Sequence, residues 1–238
     1  MILILGDCED TLLYFKTRLN AQLDKVYPFG SAYRGQLGTE GVLMASVKES
    51  NYLSSLLTEA LINDYAPYLI INLGGVVSFD EDLHKGDIFI ADRYYSFGIN
   101  YAGDGVSRYG QIPGEPSFYS SDTMLNRNCE SFVYEATNLY VKCGFIISGE
   151  ERLKGNDDHK RLVKNNFPSN IKISAFDNMS WGLAMTAHLH QITLLTIKVV
   201  GREIDKEDQI ISEKRTVLEK MPAVGKIISR LVINLERI

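Results

Sequence analysis

The sequence has few cysteines, no strongly basic region and no long hydrophobic run, and each shortage excludes a class of protein. Three cysteines occur among 238 residues, without the spacing of a metal site, which indicates a reduced, intracellular protein. The net charge of −5 and the lack of a basic stripe argue against nucleic acid binding. No apolar run approaches the ~18 residues of a membrane span, and no leader-like segment precedes the first apolar run. We therefore expect a cytoplasmic protein that binds neither membranes nor nucleic acids.

Strand-like apolar runs alternate with helical patterns along the chain. The strand-like runs cover 2–5, 41–47, 68–73, 86–97, 142–149, 172–176 and 192–200. The helical patterns cover 11–23, 52–65, 120–140, 157–166, 180–191 and 207–236, the last interrupted near Pro222. This alternation predicts an α/β fold whose largely parallel sheet lies between helices. We find no linker or repeat and therefore expect one domain over residues 1–238.

Three segments, in this order, carry motifs that occur together in one known family. "PYLIINLGGVVSFDEDLHKGDIFIADRYY" at 67–95 is similar to "INTGSAGG" followed by "L-x-x-GDI-x-x-x-D". "YGQIPGEP" at 109–116 is close to "YGQLPGCP", and it lies in a long Gly-, Pro- and Tyr-rich segment of the kind that is often functional. Residues 144–205 parallel "SGD-x-F", "EMEA" and "RAISD-x-AD".

Taken together, these segments resemble the nucleoside phosphorylase superfamily, specifically its methylthioadenosine/S-adenosylhomocysteine nucleosidase branch. The resemblance covers nearly the whole chain. It implies a three-layer α/β/α fold with a twisted, mixed central sheet, and assembly as a homo-oligomer, with a dimer favoured. It also implies a small-molecule nucleoside or base as the ligand, with no metal and no cofactor.

Cleavage of a purine N-glycosidic bond passes through a ribosyl cation while negative charge develops on the departing base. A positioned acid protonates N7 of the purine. A carboxylate faces the cation and holds the ribose hydroxyls. A base activates water, and an aromatic side chain stacks on the purine.

The family's general acid is the Asp of its "ISD" segment, and this position is Arg202 here, with Asp205 matching the Asp of the later "AD" pair. An arginine stays protonated, so it cannot usefully transfer a proton, although it can donate a hydrogen bond to N7 or bind an anion. The alternative is a surface arginine that pairs with Glu203 or Asp205.

The family's ribose-binding Glu corresponds to Met179, which follows Asn178. A methionine can neither chelate two hydroxyls nor stabilise a cation. Asp177 compensates if the register shifts by one residue. Otherwise Asp177 caps the helix that begins after it.

The family's water-activating Glu corresponds to Thr11, and Glu9 lies just before it. Glu9, or Asp10 beside it, is either a displaced base or a solvated carboxylate favoured by the dipole of the helix that starts there. Arg202, Asp205 and Glu9 are therefore the catalytic candidates.

The remaining binding positions are partly retained. Asn72, Gly74 and Gly75 leave the backbone able to approach a ligand. Arg152 replaces the family's stacking Phe, and a guanidinium can stack on a purine through its face. The substrate-binding candidates are Asn72, Gly74, Gly75, Arg152, Asp177, Asn178 and Met179.

Two functions stay open from the sequence. The first is a divergent enzyme, a nucleosidase or phosphorylase, that acts on the N-glycosidic bond of a nucleoside of the methylthioadenosine/S-adenosylhomocysteine type. The second is a catalytically degenerate member that binds a nucleoside, a base or another small ligand, or that acts as an interaction protein. The second is motivated by the changed acid, ribose carboxylate, base and stacking aromatic, since losing one such group typically costs about a hundredfold in rate.

Overall fold

The computed structural model describes residues 1–235, in which strands and helices largely alternate. The described strands are β1 (Ile2–Gly6), β2 (Gln22–Tyr27), β3 (Gly30–Leu37), β4 (Glu40–Ser46), β5 (Leu69–Ser78), β6 (Ile88–Ser96), β7 (Tyr119–Ser120), β8 (Val141–Ser148), β9 (Ile173–Asp177) and β10 (Thr193–Glu203). The described α-helices are α1 (Glu9–Arg18), α2 (Asn51–Tyr65), α3 (Thr123–Ala136), α4 (Asn156–His159), α5 (Ser180–Leu189) and α6 (Glu213–Leu235). Further helical turns cover Ala102–Asp104, Lys160–Lys164 and Glu207–Ser212. Within the described part of the chain, no helix has the length and apolarity that crossing a membrane requires.

The strands form one mixed sheet, part of which closes into a ring. β4, β1, β5 and β10 pair in parallel, and so do β6, β8 and β9. β10 pairs with β6 and β9 pairs with β5, both antiparallel, which closes a ring of five strands. β3 and β2 extend the sheet from β4 as antiparallel strands.

Helices cover both faces of the sheet because side chains alternate along each strand. On β1, Ile2 and Ile4 pack in the apolar cluster that contains residues of α1, α3 and α6. Leu3 and Leu5 pack in the cluster on the other face, with residues of α2 and α5. The predicted α/β/α arrangement with a mixed central sheet is confirmed.

One predicted helix is shorter than its sequence pattern indicated. The pattern favoured a helix over 11–23, but α1 ends at Arg18 and β2 begins at Gln22. β2 is mostly exposed and β3 is mixed in exposure, so neither has the apolar run by which the other strands were found. These two strands were missed because they form the solvent-exposed end of the sheet.

The prediction that the last helix is interrupted near Pro222 is wrong. α6 continues through Pro222 from Glu213 to Leu235, while residues 207–212 form a separate tighter turn. Proline removes one backbone donor from a helix, but the buried side chains of Met221 and Val224 pack this turn against the core. Residue 236, the end of the predicted helix, lies outside the described residues.

Gly182 provides a test of the contact between α5 and α2. A Cβ at this position would lie 2.4 Å from the carbonyl oxygen of Asn51 and 2.7 Å from Oγ of Ser55. We expect Gly182→Ala to lower the free energy of unfolding by about 1–3 kcal/mol, because two packed helices would have to separate. Urea denaturation measures this change.

The matched control for that substitution is Gly103→Ala, since a Cβ at Gly103 meets no atom within 4 Å. The control should change the free energy of unfolding by less than about 0.5 kcal/mol. Equal stability of the two variants would show that α2 and α5 do not approach as closely as described.

Candidate active site

A cavity of about 840 Å³ opens beside the ends of several strands. Its lining comes from the segments that follow β1, β4 and β8, from β5, β9 and β10, and from the start of α6 with the turn before it. The lining positions are 7, 8, 11, 49, 75–77, 150–153, 176–179, 198, 202, 210, 211, 213, 214, 217 and 218. In α/β sheets, ligands usually bind outside the carboxyl ends of the strands. The position and size of the cavity make it the candidate active site.

Asp177 organises the deepest part of this cavity. Its Oδ1 accepts hydrogen bonds from the amides of Met179 and Ser180 at 3.1 and 3.0 Å, at the start of α5. Oδ1 also accepts from Oγ of Ser148 at 2.7 Å, and Oδ2 accepts from Oγ of Ser180 at 2.5 Å. Asp177 therefore caps α5, as one of the two sequence interpretations proposed, and it also lines the cavity.

Lys198 is the buried cation that balances Asp177. Their side chains are 0% and 5% exposed, and Nζ of Lys198 lies 3.2 Å from Oδ2 of Asp177. Nζ also donates to the carbonyl oxygen of Leu73 at 3.2 Å, on β5. Burial alone raises the pKa of Asp177, but Lys198 and the surrounding hydrogen-bond donors outweigh it and hold that pKa below its usual value. The pair joins β5, β9 and β10 at the cavity.

A second carboxylate enters the cavity from the loop after β1. Oδ1 of Asp7 accepts from the Thr11 hydroxyl at 2.5 Å, and Oδ2 accepts from the amide of Gly75 at 2.8 Å. Gly74 makes this approach possible, since its φ is +139° and a Cβ there would lie 2.2 Å from Oδ2 of Asp7. A carboxylate thus lies beside Thr11, although Thr11 itself has none.

Arg202 forms part of the cavity wall and is 1% exposed. Its Nε donates to Oε2 of Glu213 at 3.2 Å, and its Nη2 donates to the carbonyl oxygen of Leu153 at 2.6 Å. Burial raises the pKa of Glu213, whereas Arg202 and Arg152 act in the opposite direction. The alternative in which Arg202 is a surface arginine paired with Glu203 or Asp205 is wrong, because Arg202 is buried and its partner is Glu213 on α6.

Glu49 lies at the exposed side of the cavity lining, in the loop between β4 and α2. Partial burial, followed by the nearby Asp7 carboxylate, raises the pKa of Glu49, and Lys198 opposes this effect. The cavity therefore combines the buried pair of Asp177 and Lys198 with the contact between Arg202 and Glu213 and with further carboxyl groups that share its space.

Six of the positions predicted from sequence line the cavity: Gly75, Arg152, Asp177, Asn178, Met179 and Arg202. Asn178 holds the loop after β8, since its Nδ2 donates to the carbonyl oxygens of Gly149 at 2.5 Å and Glu151 at 2.7 Å. That loop carries Arg152, whose side chain is exposed at the cavity. The residues selected from the motifs thus fall largely around one cavity, and their part in function stays a prediction.

The two other catalytic candidates lie outside the cavity lining. Glu9 accepts hydrogen bonds from Lys16 at 2.7 Å and from Ser46. Asp205 lies 3.5 Å from Nζ of Lys206, and both side chains are about half exposed. Glu9 and Asp205 are therefore solvated carboxylates that do not line the cavity.

Asn72 and Gly74 support the cavity from behind. Asn72 is fully buried, and its amide donates to the hydroxyls of Ser180 at 2.8 Å and Thr196 at 3.2 Å. Gly74, as described above, leaves room for Asp7. Both positions shape the site but neither is part of its lining.

Sequence reasoning missed seven charged residues of the cavity: Asp7, Glu49, Glu150, Glu151, Lys198, Glu213 and Lys214. Asp7 and Lys198 had a signal, because Asp7 directly follows a buried strand and Lys198 interrupts an apolar one. Glu213 had none, since it begins a helix far along the chain. Among the described residues, no group of three or more His, Cys, Asp or Glu side chains is placed to hold a metal ion.

The model of the family described as "Phosphorylase superfamily" matches residues 2–234 of the chain. Among curated proteins, the 5'-methylthioadenosine/S-adenosylhomocysteine nucleosidase of Staphylococcus haemolyticus is 26% identical over 201 residues, which cover 84% of this chain and 86% of the relative.

Solved structures share the fold over almost the full chain. The 5'-methylthioadenosine/S-adenosylhomocysteine nucleosidase of Neisseria meningitidis, in complex with methylthio-immucillin-A, superposes with a TM-score of 0.87 at 20% identity and covers 97% of each chain. The futalosine hydrolase of Helicobacter pylori superposes with a TM-score of 0.86 at 18% identity, over 98% of this chain and 97% of that one.

Replacement of Lys198 tests the buried ion pair. We expect Lys198→Met to lower the free energy of unfolding by about 3–5 kcal/mol at neutral pH, because Asp177 then remains buried without its cation. In the unmodified protein the depressed pKa of Asp177 gives stability that is complete above about pH 4 and is lost as the pH falls further. In the variant, burial without the cation raises the pKa of Asp177. The difference in free energy of unfolding between the unmodified protein and the variant should therefore become smaller as the pH is lowered from neutral.

The control for Lys198 is Lys206→Met, which removes an exposed ion pair with Asp205. It should cost less than about 1 kcal/mol. Urea denaturation at several pH values measures both variants. A decrease in the free energy of unfolding for Lys198→Met that is no larger than that of the control, or that does not change with pH, would contradict the ion pair between Asp177 and Lys198.

Proposed function

The chain belongs to the phosphorylase superfamily, and we propose that it hydrolyses the N-glycosidic bond of a purine nucleoside. The substrates that we favour are nucleosides of the methylthioadenosine/S-adenosylhomocysteine type. The names of the similar proteins support this choice, since they include nucleosidases for these compounds and a second hydrolase. The ligand of the cavity is then a small-molecule nucleoside or its base.

The observation that carries the proposal is the Asp7 carboxylate in the cavity. One of its oxygens is fixed by the Gly75 amide and the other by the Thr11 hydroxyl, which leaves its remaining lone pairs for a ligand. A preorganised carboxylate of this kind stabilises a developing ribosyl cation and accepts a proton from attacking water. Asp7 thus takes the role for which Thr11 has no suitable group.

The charges of the cavity favour water over phosphate as the second reactant. The buried cation Lys198 is paired with Asp177, and the buried guanidinium of Arg202 contacts the carboxyl group of Glu213. Asp7 lies in the same cavity, and its negative charge opposes the approach of a phosphate anion. A neutral water molecule meets no such repulsion.

Three broader expectations belong to the same proposal. The chain acts as one domain over residues 1–238, it assembles as a homodimer, and it works in the cytoplasm. These stay predictions, which size-exclusion chromatography with light scattering and localisation in cells would test.

The test of the proposed function is release of free base. Purified protein is incubated with methylthioadenosine, S-adenosylhomocysteine, adenosine, inosine and uridine, each with and without phosphate, and the products are separated by chromatography. We expect free base from at least one purine nucleoside at a rate that phosphate does not increase. Thermal-shift measurements with the same compounds show binding, and binding without any base release would favour the non-catalytic alternative.

Substitution of Asp7 links the activity to the cavity. Asp7→Asn keeps the shape of the side chain but removes its charge, so we expect kcat for base release to fall by about a hundredfold or more. Asp82→Asn is the control, because the Asp82 side chain is 79% exposed in its ion pair with Lys142. Activity of Asp7→Asn within about threefold of the control would contradict the role given to this carboxylate.

A further inference from the structure

Protonation of the departing purine lacks an obvious donor, because Arg202 occupies the position at which the resemblance implies an acid. We propose that Glu213, at the start of α6, is the proton donor and that Arg202 is a positioning residue that holds the Glu213 carboxyl group at the cavity. The inference deepens the proposed hydrolysis of a purine nucleoside and rests on it.

An irregularity in β10 brings Glu213 to this position. The pairing of β10 with β5 shifts register between Val200 and Arg202, so Gly201 forms a bulge. A bulge redirects the neighbouring side chains of a strand. A Cβ on Gly201 would lie 2.7 Å from Cγ of Glu213, so only a glycine admits the helix so closely. The bulge therefore sets the start of α6 against the strand.

The contacts of Arg202 fix the carboxyl group of Glu213 and leave it accessible. Arg202 donates through Nε to Oε2 of Glu213 at 3.2 Å and through Nη2 to the carbonyl oxygen of Leu153 at 2.6 Å. The Arg202 side chain is 2% exposed, whereas that of Glu213 is 28% exposed. The guanidinium thus belongs to the wall, and the carboxyl group is the part of this pair that a ligand can reach.

The charged groups around Glu213 decide whether it holds a proton. Arg202 on β10 and Arg152 on the loop after β8 favour its ionised form, while Asp7 after β1 opposes ionisation. Glu49 interacts with it across the cavity, and the adjacent Lys214 is paired with Asp10. Burial is the largest influence, and the pKa of Glu213 is raised. A carboxyl group with a raised pKa is suited to act as a general acid near neutral pH.

The proposed step balances with water as the only co-reactant. The bond from C1′ to N9 breaks, its electron pair passes to the purine, and the Glu213 proton moves to N7. Water forms the new bond to C1′, and its proton passes to the Asp7 carboxylate. Proton exchange with solvent then restores Glu213 and Asp7, so the products are the free base and a ribose derivative.

Two substrates with different leaving groups test the role of Glu213. The Glu213→Gln variant is assayed with methylthioadenosine, adenosine and inosine, and with p-nitrophenyl β-ribofuranoside, whose phenolate departs without protonation. We expect kcat for the nucleosides to fall by about a hundredfold or more and the alkaline limb of the pH profile to disappear. Cleavage of the nitrophenyl riboside should stay within about threefold of the unmodified protein.

Matched variants separate positioning from folding. Glu219→Gln makes the same change on the same helix at an exposed pair with Arg215, and it should leave all rates unchanged. In Arg202→Met, loss of the cation should raise the pKa of Glu213 and move the alkaline limb to higher pH. Arg202→Lys keeps the charge and should return the limb towards its original position. Circular dichroism of each variant confirms that it is folded.

Two results would overturn the inference while the proposed function stands. One is nucleoside cleavage by Glu213→Gln within about fivefold of the unmodified protein. The other is an equal decrease in kcat of Glu213→Gln for the nucleosides and for the nitrophenyl riboside, which would assign Glu213 a structural role. Failure of the unmodified protein to release base from any purine nucleoside would instead reject the proposed function, and the inference with it.

Discussion

The buried ion pair between Asp177 and Lys198 is the interaction on which the site depends. It joins the end of β9 to the middle of β10, reaches β5 through the Leu73 carbonyl, and caps the first turn of α5. Charges buried this deeply are tolerated only when their geometry and additional hydrogen bonds compensate for lost hydration. The pair therefore fixes the floor of the cavity, against which the other functional groups are placed.

Two carboxyl groups of the cavity lie on other residues than those that the sequence resemblance implied. Asp7 supplies a carboxylate beside Thr11, and Glu213 supplies one beside Arg202. In both cases the new carboxylate comes from a neighbouring position in space. The chemistry of N-glycosidic cleavage requires groups at certain points around the substrate, and it does not prescribe which strand or helix carries them.

Much of the fold could be predicted from sequence, because buried strands such as β1 and β5 are rich in apolar residues. β2 and β3 could not, since exposed strands lack that signal. The motifs indicated the region of the candidate site, and Arg202 and Met179 belong to the lining of its cavity. The partnership of Arg202 with Glu213 could not be foreseen, because it depends on a bulge and a helix start that meet only in three dimensions.

The Gly201 bulge has a consequence for how such a site can change over evolutionary time. Because α6 already brings Glu213 against β10, a lone aspartate at position 202 would place two carboxylates together without a cation between them. Like charges at that separation repel strongly in a buried setting. An acidic residue at position 202 is therefore disfavoured while Glu213 is present, so a change at one of these two positions alters which residues the other can hold.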